Sequence, residues 1–255
     1  MSEPTFYAAL LYGWLGLAVV TFASLFFVTA PYGRHARSGW GPTVDATIGW
    51  VVMELPAMLV ILFFFLIGDR RGSPVAICLL VLWEVHYVHR ALVFPFLRPR
   101  SDRRTPWVIV FMALLFNVVN GYLNGRHLFS SHISPDYPSD WLLRPTFLIG
   151  AALFVVGFVV NLHSDRVLFR LREPGETGYK IPRGGLFRWV SSPNYFGELL
   201  EWTGWAIASW SLAGLSFALW TAANLVPRAV SHHRWYRETF PDYPPRRKAI
   251  LPFLL

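Results

Sequence analysis

The sequence predicts an all-α membrane protein, a bundle of seven transmembrane helices in one domain over residues 1–255. Hydrophobic residues make up 54% of the chain and charged residues only 15%, and the mean hydropathy is +0.40. An apolar helix of about 20 residues crosses the hydrocarbon of a bilayer. Segments of this kind occur at 6–29, 46–67, 74–97, 105–128, 145–168, 195–211 and 212–230.

The first segment lacks a basic region before it and a small-residue cleavage site after it, so we interpret it as a retained helix. The sixth and seventh segments are short and contiguous, which predicts a tight hairpin at 211–214. The lone Cys78 lies inside the third segment and excludes an intrachain disulfide and a thiolate cluster.

Basic residues fall mainly on one side of a seven-helix bundle. They occur at 34–37, 98–104, 166–188 and 228–248, and the positive-inside rule makes that side cytosolic. Arg70 and Arg71 face the other way but are outnumbered. We therefore expect the N-terminus outside and the C-terminus in the cytosol, in an inner membrane or endoplasmic reticulum. Loops facing headgroups and cytosol explain the net charge of +8 better than nucleic-acid binding does.

Glu54 lies near the middle of the second segment, where a carboxyl costs about 2.5–3.5 kcal/mol on insertion scales. Tyr87, in the third segment, is expected at nearly the same depth. A protonated carboxyl beside a phenol provides two hydrogen-bond donors, an arrangement that stabilises a developing enolate oxygen. The alternative is a purely structural polar contact between two helices.

Histidines at 86, 89, 232 and 233 raise the question of a metal site. We predict none, because carboxylates or a third imidazole at helical spacing are lacking and Arg90 would repel a cation beside His89.

Polar and aromatic residues recur at the predicted cytosolic helix ends. Asn161, Asp165 and Arg172 are separated by four and seven residues, which places them on one helix face. Proline and glycine at 173–192 predict an ordered cytosolic loop, and Pro193 predicts the start of the next helix. The residues are Asn161, Asp165 and Arg172, then Asn194, Glu198 and Trp202, and finally His232 and Tyr236.

Such a set suits a dinucleotide, since amides and carboxylates bind ribose and amide groups, aromatic rings stack, and cations bind phosphates. No strand is followed by a G-x-G-x-x-G motif, so the dinucleotide would bind within a helical bundle. For each residue alone, headgroup contact or helix capping is the alternative.

The chain resembles the steroid 5-alpha-reductase family over most of its length. The resemblance lies in Pro31-Tyr32-Gly33-Arg34-His35, Met53-Glu54-Leu55-Pro56, His86-Tyr87-Val88-His89-Arg90, Asn161-Leu162-His163-Ser164-Asp165, the loop from Pro174-Gly175-Glu176 to Gly184-Gly185-Leu186-Phe187, Asn194 with Gly197-Glu198-Leu199-Leu200-Glu201-Trp202, and the segment from Ala229 to Asp242-Tyr243-Pro244.

This resemblance implies NADPH-dependent reduction of the C4–C5 double bond of a 3-oxo-4-ene steroid, with hydride added at C5. It implies that Glu54 and Tyr87 bind the C3 carbonyl. The implied cofactor contacts are Tyr32, Arg90, Asn161, Asp165, Arg172, Tyr179, Lys180, Asn194, Glu198, Trp202, His232 and Tyr236. The family has an arginine where this chain has Lys180. A lysine can still contact a phosphate, but it cannot bind it in bidentate geometry. Arg98, Arg100, Arg103 and Arg104 receive no role.

Other functions stay open. One is a reductase of polyprenol, enoyl thioester or sterol double bonds, and another is an isoprenylcysteine-type methyltransferase using S-adenosylmethionine. A methyltransferase needs no buried acid, so loss of Glu54 would leave its activity largely intact. The last is a transporter or lipid-binding protein in which Glu54 relays protons. One methyl group changes binding in an apolar pocket by only about 1–3 kcal/mol, so no particular steroid is predicted.

Overall fold

The computed structural model describes residues 1–28, 39–99, 104–171, 176 and 178–255. A π-helical turn, His89–Val93, joins α3 to α4, and 3-10 helices occupy Trp141–Leu143 and Gly185–Arg188. The α-helices are α1 Glu3–Leu25, α2 Ala46–Ile67, α3 Pro74–Val88, α4 Phe94–Leu97, α5 Trp107–Phe129, α6 Pro145–Phe169, α7 Pro193–Ser209 and α8 Leu212–Thr239.

Five helical segments in the described part of the chain are long and apolar enough to cross a membrane: Glu3–Leu25, Ala46–Ile67, Pro74–Leu97, Trp107–Phe129 and Pro145–Phe169. The helical membrane class is therefore confirmed. Helices α7 and α8 exist but are not among these five, so seven crossings stay a prediction.

Helices α7 and α8 are joined at Trp210 and Ser211, not by the predicted hairpin at 211–214. Trp210 adopts a left-handed conformation, with φ 44°. Ser211 is the N-cap of α8, and its Oγ accepts from the Gly214 N–H at 2.9 Å. The predicted position was wrong because a serine side chain at the cap lets the helix begin directly after it. Helix α8 then runs through Pro227 to Thr239, past the predicted end at 230.

A short antiparallel strand pair was also missed. Strand β1, Thr43–Asp45, pairs with β2, Arg104–Pro106. Arg104 strengthens the pair, because its Nε donates to Thr43 Oγ1 at 2.8 Å. Strands of three residues are too short for a recognisable alternation of apolar and polar residues, so the sequence pattern gave no sign of them.

Helices α6 and α7 run antiparallel with their backbones in contact. A Cβ on Gly157 would lie 2.4 Å from the Glu201 nitrogen, and one on Gly204 would lie 2.4 Å from the Phe154 nitrogen. Small residues permit this close approach between membrane helices. The two helices therefore act as one rigid unit that carries most of the polar side chains described below.

The bundle core is rich in aromatic rings. Trp83, Trp202 and Trp205 are each almost fully buried, and the ring centroids of Trp202 and Phe217 lie 4.1 Å apart. Indole groups also tie helices together: Trp83 Nε1 donates to the Ala57 carbonyl at 3.0 Å and so fixes α3 against α2. The candidate site lies beside this aromatic core.

Candidate active site

Glu54 and Tyr87 lie on the neighbouring helices α2 and α3, close enough to interact electrostatically. The charge of Arg90 acts on both. Tyr87 is 3% exposed, and its ring packs 5.0 Å from that of Trp83 and 5.7 Å from that of Trp202. These contacts restrict the directions available to the phenol.

Arg90 lies on the π-helical turn that follows α3. An extra residue in such a turn redirects the side chains after it, and π turns are frequent at functional sites. The guanidinium carbon lies 4.4 Å from the ring centroid of Phe94 and 4.8 Å from that of Trp50. Trp50 Nε1 also donates to the Arg90 carbonyl at 3.0 Å. Arg90 is thus held from both its backbone and its side chain.

Two carboxylates flank Arg90, the buried Asp165 and the partly buried Glu198. Its Nη1 lies 3.4 Å from Asp165 Oδ2 on α6, and its Nη2 lies 3.6 Å from Glu198 Oε2 on α7. Asn194 Nδ2 donates to Asp165 Oδ1 at 3.1 Å, and Asn161 Nδ2 donates to the Asn194 carbonyl at 3.0 Å. We call these five residues the Arg90 cluster; all five were predicted from the sequence as site residues.

The Arg90 cluster has polar atoms left over. Glu198 Oε2 and the nearby Ser192 Oγ are buried and make no hydrogen bond within the described residues. Buried polar atoms in proteins normally have a partner, so unpaired ones indicate a missing ligand or water. The cluster therefore suits the amide N–H and hydroxyl donors of a ligand.

Three other predicted residues form a second group at the same end. The Tyr179 ring meets Trp235 edge-on at 4.9 Å, the His232 ring lies 5.6 Å from Tyr195, and Tyr236 stacks on Tyr243 at 5.2 Å. Tyr195 links the groups, because it interacts electrostatically with Arg90.

The remaining predicted residues are placed differently. Trp202 lies in the aromatic core with 1% of its surface exposed, deeper than the Arg90 cluster. Lys180 is on the surface, and its Nζ is 2.6 Å from a Glu176 carboxylate oxygen. Tyr32 and Arg172 lie outside the described residues.

A buried pair next to Tyr87 was not predicted from the sequence. His86 Nδ1 and Glu201 Oε1 share a hydrogen bond of 2.7 Å between α3 and α7. The available signal was Glu201 itself, an acidic residue in an apolar helix. No group of three metal-binding side chains occurs within the described ranges. His86 instead has a carboxylic partner.

Comparisons with known proteins identify the family. The family model described as 3-oxo-5-alpha-steroid 4-dehydrogenase matches residues 103–255. The chain is 48% identical over 241 residues to 3-oxo-5-alpha-steroid 4-dehydrogenase 1 of Mus musculus, covering 94% of this chain and 93% of that protein.

Relatives occur in plants and in humans. Identity is 45% over 242 residues with steroid 5-alpha-reductase DET2 of Gossypium hirsutum, covering 93% of both chains. It is 44% over 257 residues with the human 3-oxo-5-alpha-steroid 4-dehydrogenase 1, covering 100% of this chain and 97% of the other. This chain is thus an oxidoreductase of steroid metabolism, and it belongs to the steroid 5-alpha-reductase family, also described as 3-oxo-5-alpha-steroid 4-dehydrogenase.

Proposed function

We propose that this protein uses NADPH to reduce the C4–C5 double bond of 3-oxo-4-ene steroids. The observation that carries the proposal is the proximity of Glu54 and Tyr87 beside the Arg90 cluster, in a chain of this family. An enone needs a donor at its carbonyl oxygen and a hydride source near its far carbon. The Glu54–Tyr87 pair suits the first need and the Arg90 cluster suits the second.

Glu54 and Tyr87 would act on the C3 oxygen. As C5 accepts a hydride, negative charge moves through the conjugated system to that oxygen. Donors placed there in advance, within apolar surroundings that exclude water, stabilise the charge more than water would. For this role Glu54 must be protonated, and Tyr87 donates its phenolic proton as a hydrogen bond without losing it. A proton added at C4 completes the reduction.

The Arg90 cluster would hold the nicotinamide end of the cofactor. Bound there, NADPH supplies the hydride. Arg90 offers guanidinium N–H donors, while Asp165 and Glu198 accept from amide or hydroxyl groups. Glu198 Oε2 and Ser192 Oγ, which make no hydrogen bond within the described residues, fit this arrangement. The rest of the dinucleotide would be contacted by Tyr179, His232 and Tyr236 and by the surface Lys180. Trp202 would pack against it from the aromatic core. Tyr32 and Arg172 complete the proposed set.

The test separates the two roles by variant. Glu54→Gln and Tyr87→Phe should each lower kcat for 3-oxo-4-ene steroid reduction by about 100-fold or more, the typical effect of removing one oxyanion donor. NADPH affinity, measured by fluorescence titration of the purified protein, should change less than about threefold. Deuteride-labelled NADPH should leave its label at C5.

Three results would contradict the proposal. If Glu54→Gln weakens NADPH binding as much as it lowers kcat, the division between a carbonyl site and a cofactor site is removed. Full enone-reductase activity in both variants would remove the proposed role of Glu54 and Tyr87 at the carbonyl, and no reduction of any enone by the wild type would favour a methyltransferase or another reaction. As a control, Asn194→Ala should weaken NADPH binding first, since Asn194 bonds directly to Asp165.

We also propose that α7 and α8 cross the membrane, giving seven spans. Helix α7 lies along the apolar α6 at backbone contact. Helix α8 packs on the apolar α1, where Trp220 Nε1 donates to the Trp14 carbonyl at 3.0 Å. Helices packed along two spanning helices would share their depth. The arginine-rich end, with the C-terminus, would then face the cytosol.

Cysteine labelling tests this topology. In a Cys78→Ala background, Trp210→Cys should react with an impermeant maleimide only from the non-cytosolic side. Arg183→Cys and Glu238→Cys should react only from the cytosolic side. Labelling of all three from the cytosol would leave five crossings.

A further inference from the structure

The buried pair of His86 and Glu201 is not used by the function proposed above. His86 is 3% exposed and Glu201 is 0% exposed, and Nδ1 and Oε1 are 2.7 Å apart. Two ionisable groups so deep in a bundle are costly to bury, and only good geometry compensates. A membrane enzyme can obtain helix packing from apolar residues alone, so the retention of this pair requires a reason.

His86 touches two aromatic residues of the candidate site. The His86 ring meets Trp202 edge-on at 4.7 Å and Tyr87 edge-on at 4.9 Å. Tyr87 and Trp202 are themselves 5.7 Å apart. His86 therefore borders the Tyr87 ring on one side, and the bond to Glu201 fixes the rotation of the imidazole.

Glu201 is itself rigidly placed. It lies on α7 where that helix touches α6, since a Cβ on Gly157 would be 2.4 Å from the Glu201 nitrogen. Glu198, which pairs with Arg90, precedes Glu201 by three residues on the same helix. One turn of α7 thus contacts both halves of the site, Glu198 toward the Arg90 cluster and Glu201 toward Tyr87.

We propose that His86 and Glu201 are positioning residues that hold Tyr87 in register with the Arg90 cluster. Their hydrogen bond couples α3, which carries Tyr87, to α7, which carries Glu198 and Asn194. A displacement of about 1 Å in a reacting geometry lowers rate by about 100-fold. The phenol and the cofactor site must keep a fixed separation for hydride transfer and carbonyl polarisation to occur together. This inference rests on the proposed function.

The main variants differ in whether they keep the bond. Glu201→Leu and His86→Phe remove it, and the second keeps an aromatic ring against Trp202. Glu201→Gln retains a hydrogen-bonding group of the same size. The first two should lower kcat by about 100-fold, and Glu201→Gln should recover to within about fivefold of the wild-type kcat. The Kd for NADPH should stay within about threefold in all of them, which also shows that each variant folds.

A double-mutant cycle distinguishes positioning from general stability. If Glu201 acts through Tyr87, then Glu201→Leu in a Tyr87→Phe background should lower kcat no further. The matched control is Asn124→Leu, which breaks another buried bond to α7, from Trp205 Nε1 at 3.0 Å. It should lower the melting temperature and leave kcat per NADPH-binding molecule within about twofold.

The outcomes separate the two proposals. If Tyr87→Phe lowers kcat but Glu201→Leu adds its full loss on top, positioning is overturned and the proposed reaction stands. Positioning is also overturned, and the proposed reaction stands, if Glu201→Leu and His86→Phe keep full kcat. If Tyr87→Phe itself retains full activity, the proposed function fails. If Glu201→Leu does not bind NADPH, the other two variants decide. A lowered kcat in His86→Phe with a near wild-type kcat in Glu201→Gln supports positioning. An equal loss of kcat in both variants overturns it.

Discussion

Two arginines, Arg70 buried and Arg90 largely buried, lie at opposite ends of the bundle and have different surroundings. Arg70 follows α2, and its side chain is 6% exposed; Arg90 follows α3, and its side chain is 12% exposed. Arg70 Nε donates to Asp136 Oδ1 at 2.7 Å and its Nη1 to Ser134 Oγ at 2.8 Å. Its Nη1 also donates to the His127 carbonyl at 3.1 Å, and its Nη2 to the Ser134 carbonyl.

The contacts of Arg90 to its carboxylates are longer, at 3.4 and 3.6 Å. Charge-assisted hydrogen bonds normally measure about 2.7–2.9 Å. Burial of an arginine therefore does not by itself mark a site. The chain satisfies Arg70 with its own carbonyls and so uses it to fix a loop, whereas it leaves Arg90 between two carboxylates with capacity for a ligand.

The largest expected effect follows from removing the cation of the Arg90 cluster. Arg90→Met should raise the Kd for NADPH by about 100-fold, a change of about 2.7 kcal/mol. The two carboxylates would then lack their shared counter-charge, and the nicotinamide site would lose its donor. Fluorescence titration measures this Kd. Arg90→Lys keeps the charge but not the planar guanidinium, so its Kd for NADPH should lie between those of the wild type and Arg90→Met. An unchanged Kd in Arg90→Met would make Arg90 as structural as Arg70.

Removing Arg70 should affect stability instead. Arg70→Met leaves the carbonyls of His127 and Ser134 without their donor, at a cost of about 2–4 kcal/mol. The melting temperature in detergent should fall by about 6–12 °C, while the NADPH Kd of the folded fraction stays the same. The matched control is Arg71→Met, next in sequence and exposed, which should change neither quantity. A loss of NADPH affinity in Arg70→Met would remove the contrast between the ends.

Four members of the Arg90 cluster could be predicted from sequence because they repeat at helical spacing, whereas Arg90 itself was assigned through the family resemblance. Asn161 with Asp165 and Asn194 with Glu198 are each four residues apart, so each pair shares a helix face. Helix α2 has the predicted bounds, since Asp45 caps its start with a hydrogen bond of 2.8 Å from the Thr47 N–H. Patterns within one helix were sufficient for these features.

Patterns within one helix do not tell which faces of two helices meet. His86 and Glu201 are 115 residues apart, and their pairing depends on how α3 and α7 pack. The position of Trp202 in the aromatic core, instead of among the polar residues on its own helix face, has the same origin. The packing of tryptophan rings decided it, and spacing along α7 carried no information about those rings.

The smallest expected effect is a difference between the two ends in pH dependence. At the Arg90 end, Ser191 Oγ shares hydrogen bonds of 2.6 Å with His233 Nδ1 and with Tyr243 Oη. Burial, aided by nearby cations, lowers the pKa of His233 from its usual 6.5. At the Arg70 end, hydrogen bonds from Ser131 lower the pKa of Asp69 from 3.8.

Both folded-state pKa values lie below the unfolded ones, so in each case the unfolded chain binds protons first as pH falls. The stability that His233 contributes is complete above pH 6.5 and declines as pH falls through its folded pKa; that of Asp69 declines only below pH 3.8. Between pH 7.5 and 5.5 the contribution of His233 should therefore decline, whereas that of Asp69 should not. His233→Asn keeps a hydrogen-bonding atom near the position of Nδ1 but does not titrate.

His233→Asn should therefore reduce the drop in melting temperature between pH 7.5 and 5.5 by about 1–2 °C. His132→Asn, at an exposed histidine near the Arg70 end, is the control and should leave the drop unchanged. Thermal unfolding of the detergent-purified protein at the two pH values measures both. If His132→Asn reduces the drop as much as His233→Asn does, the pH response belongs to the whole molecule. If only His233→Asn reduces the drop in melting temperature, the pH response belongs to the segment that joins the start of α7 to the C-terminus, next to the Arg90 cluster.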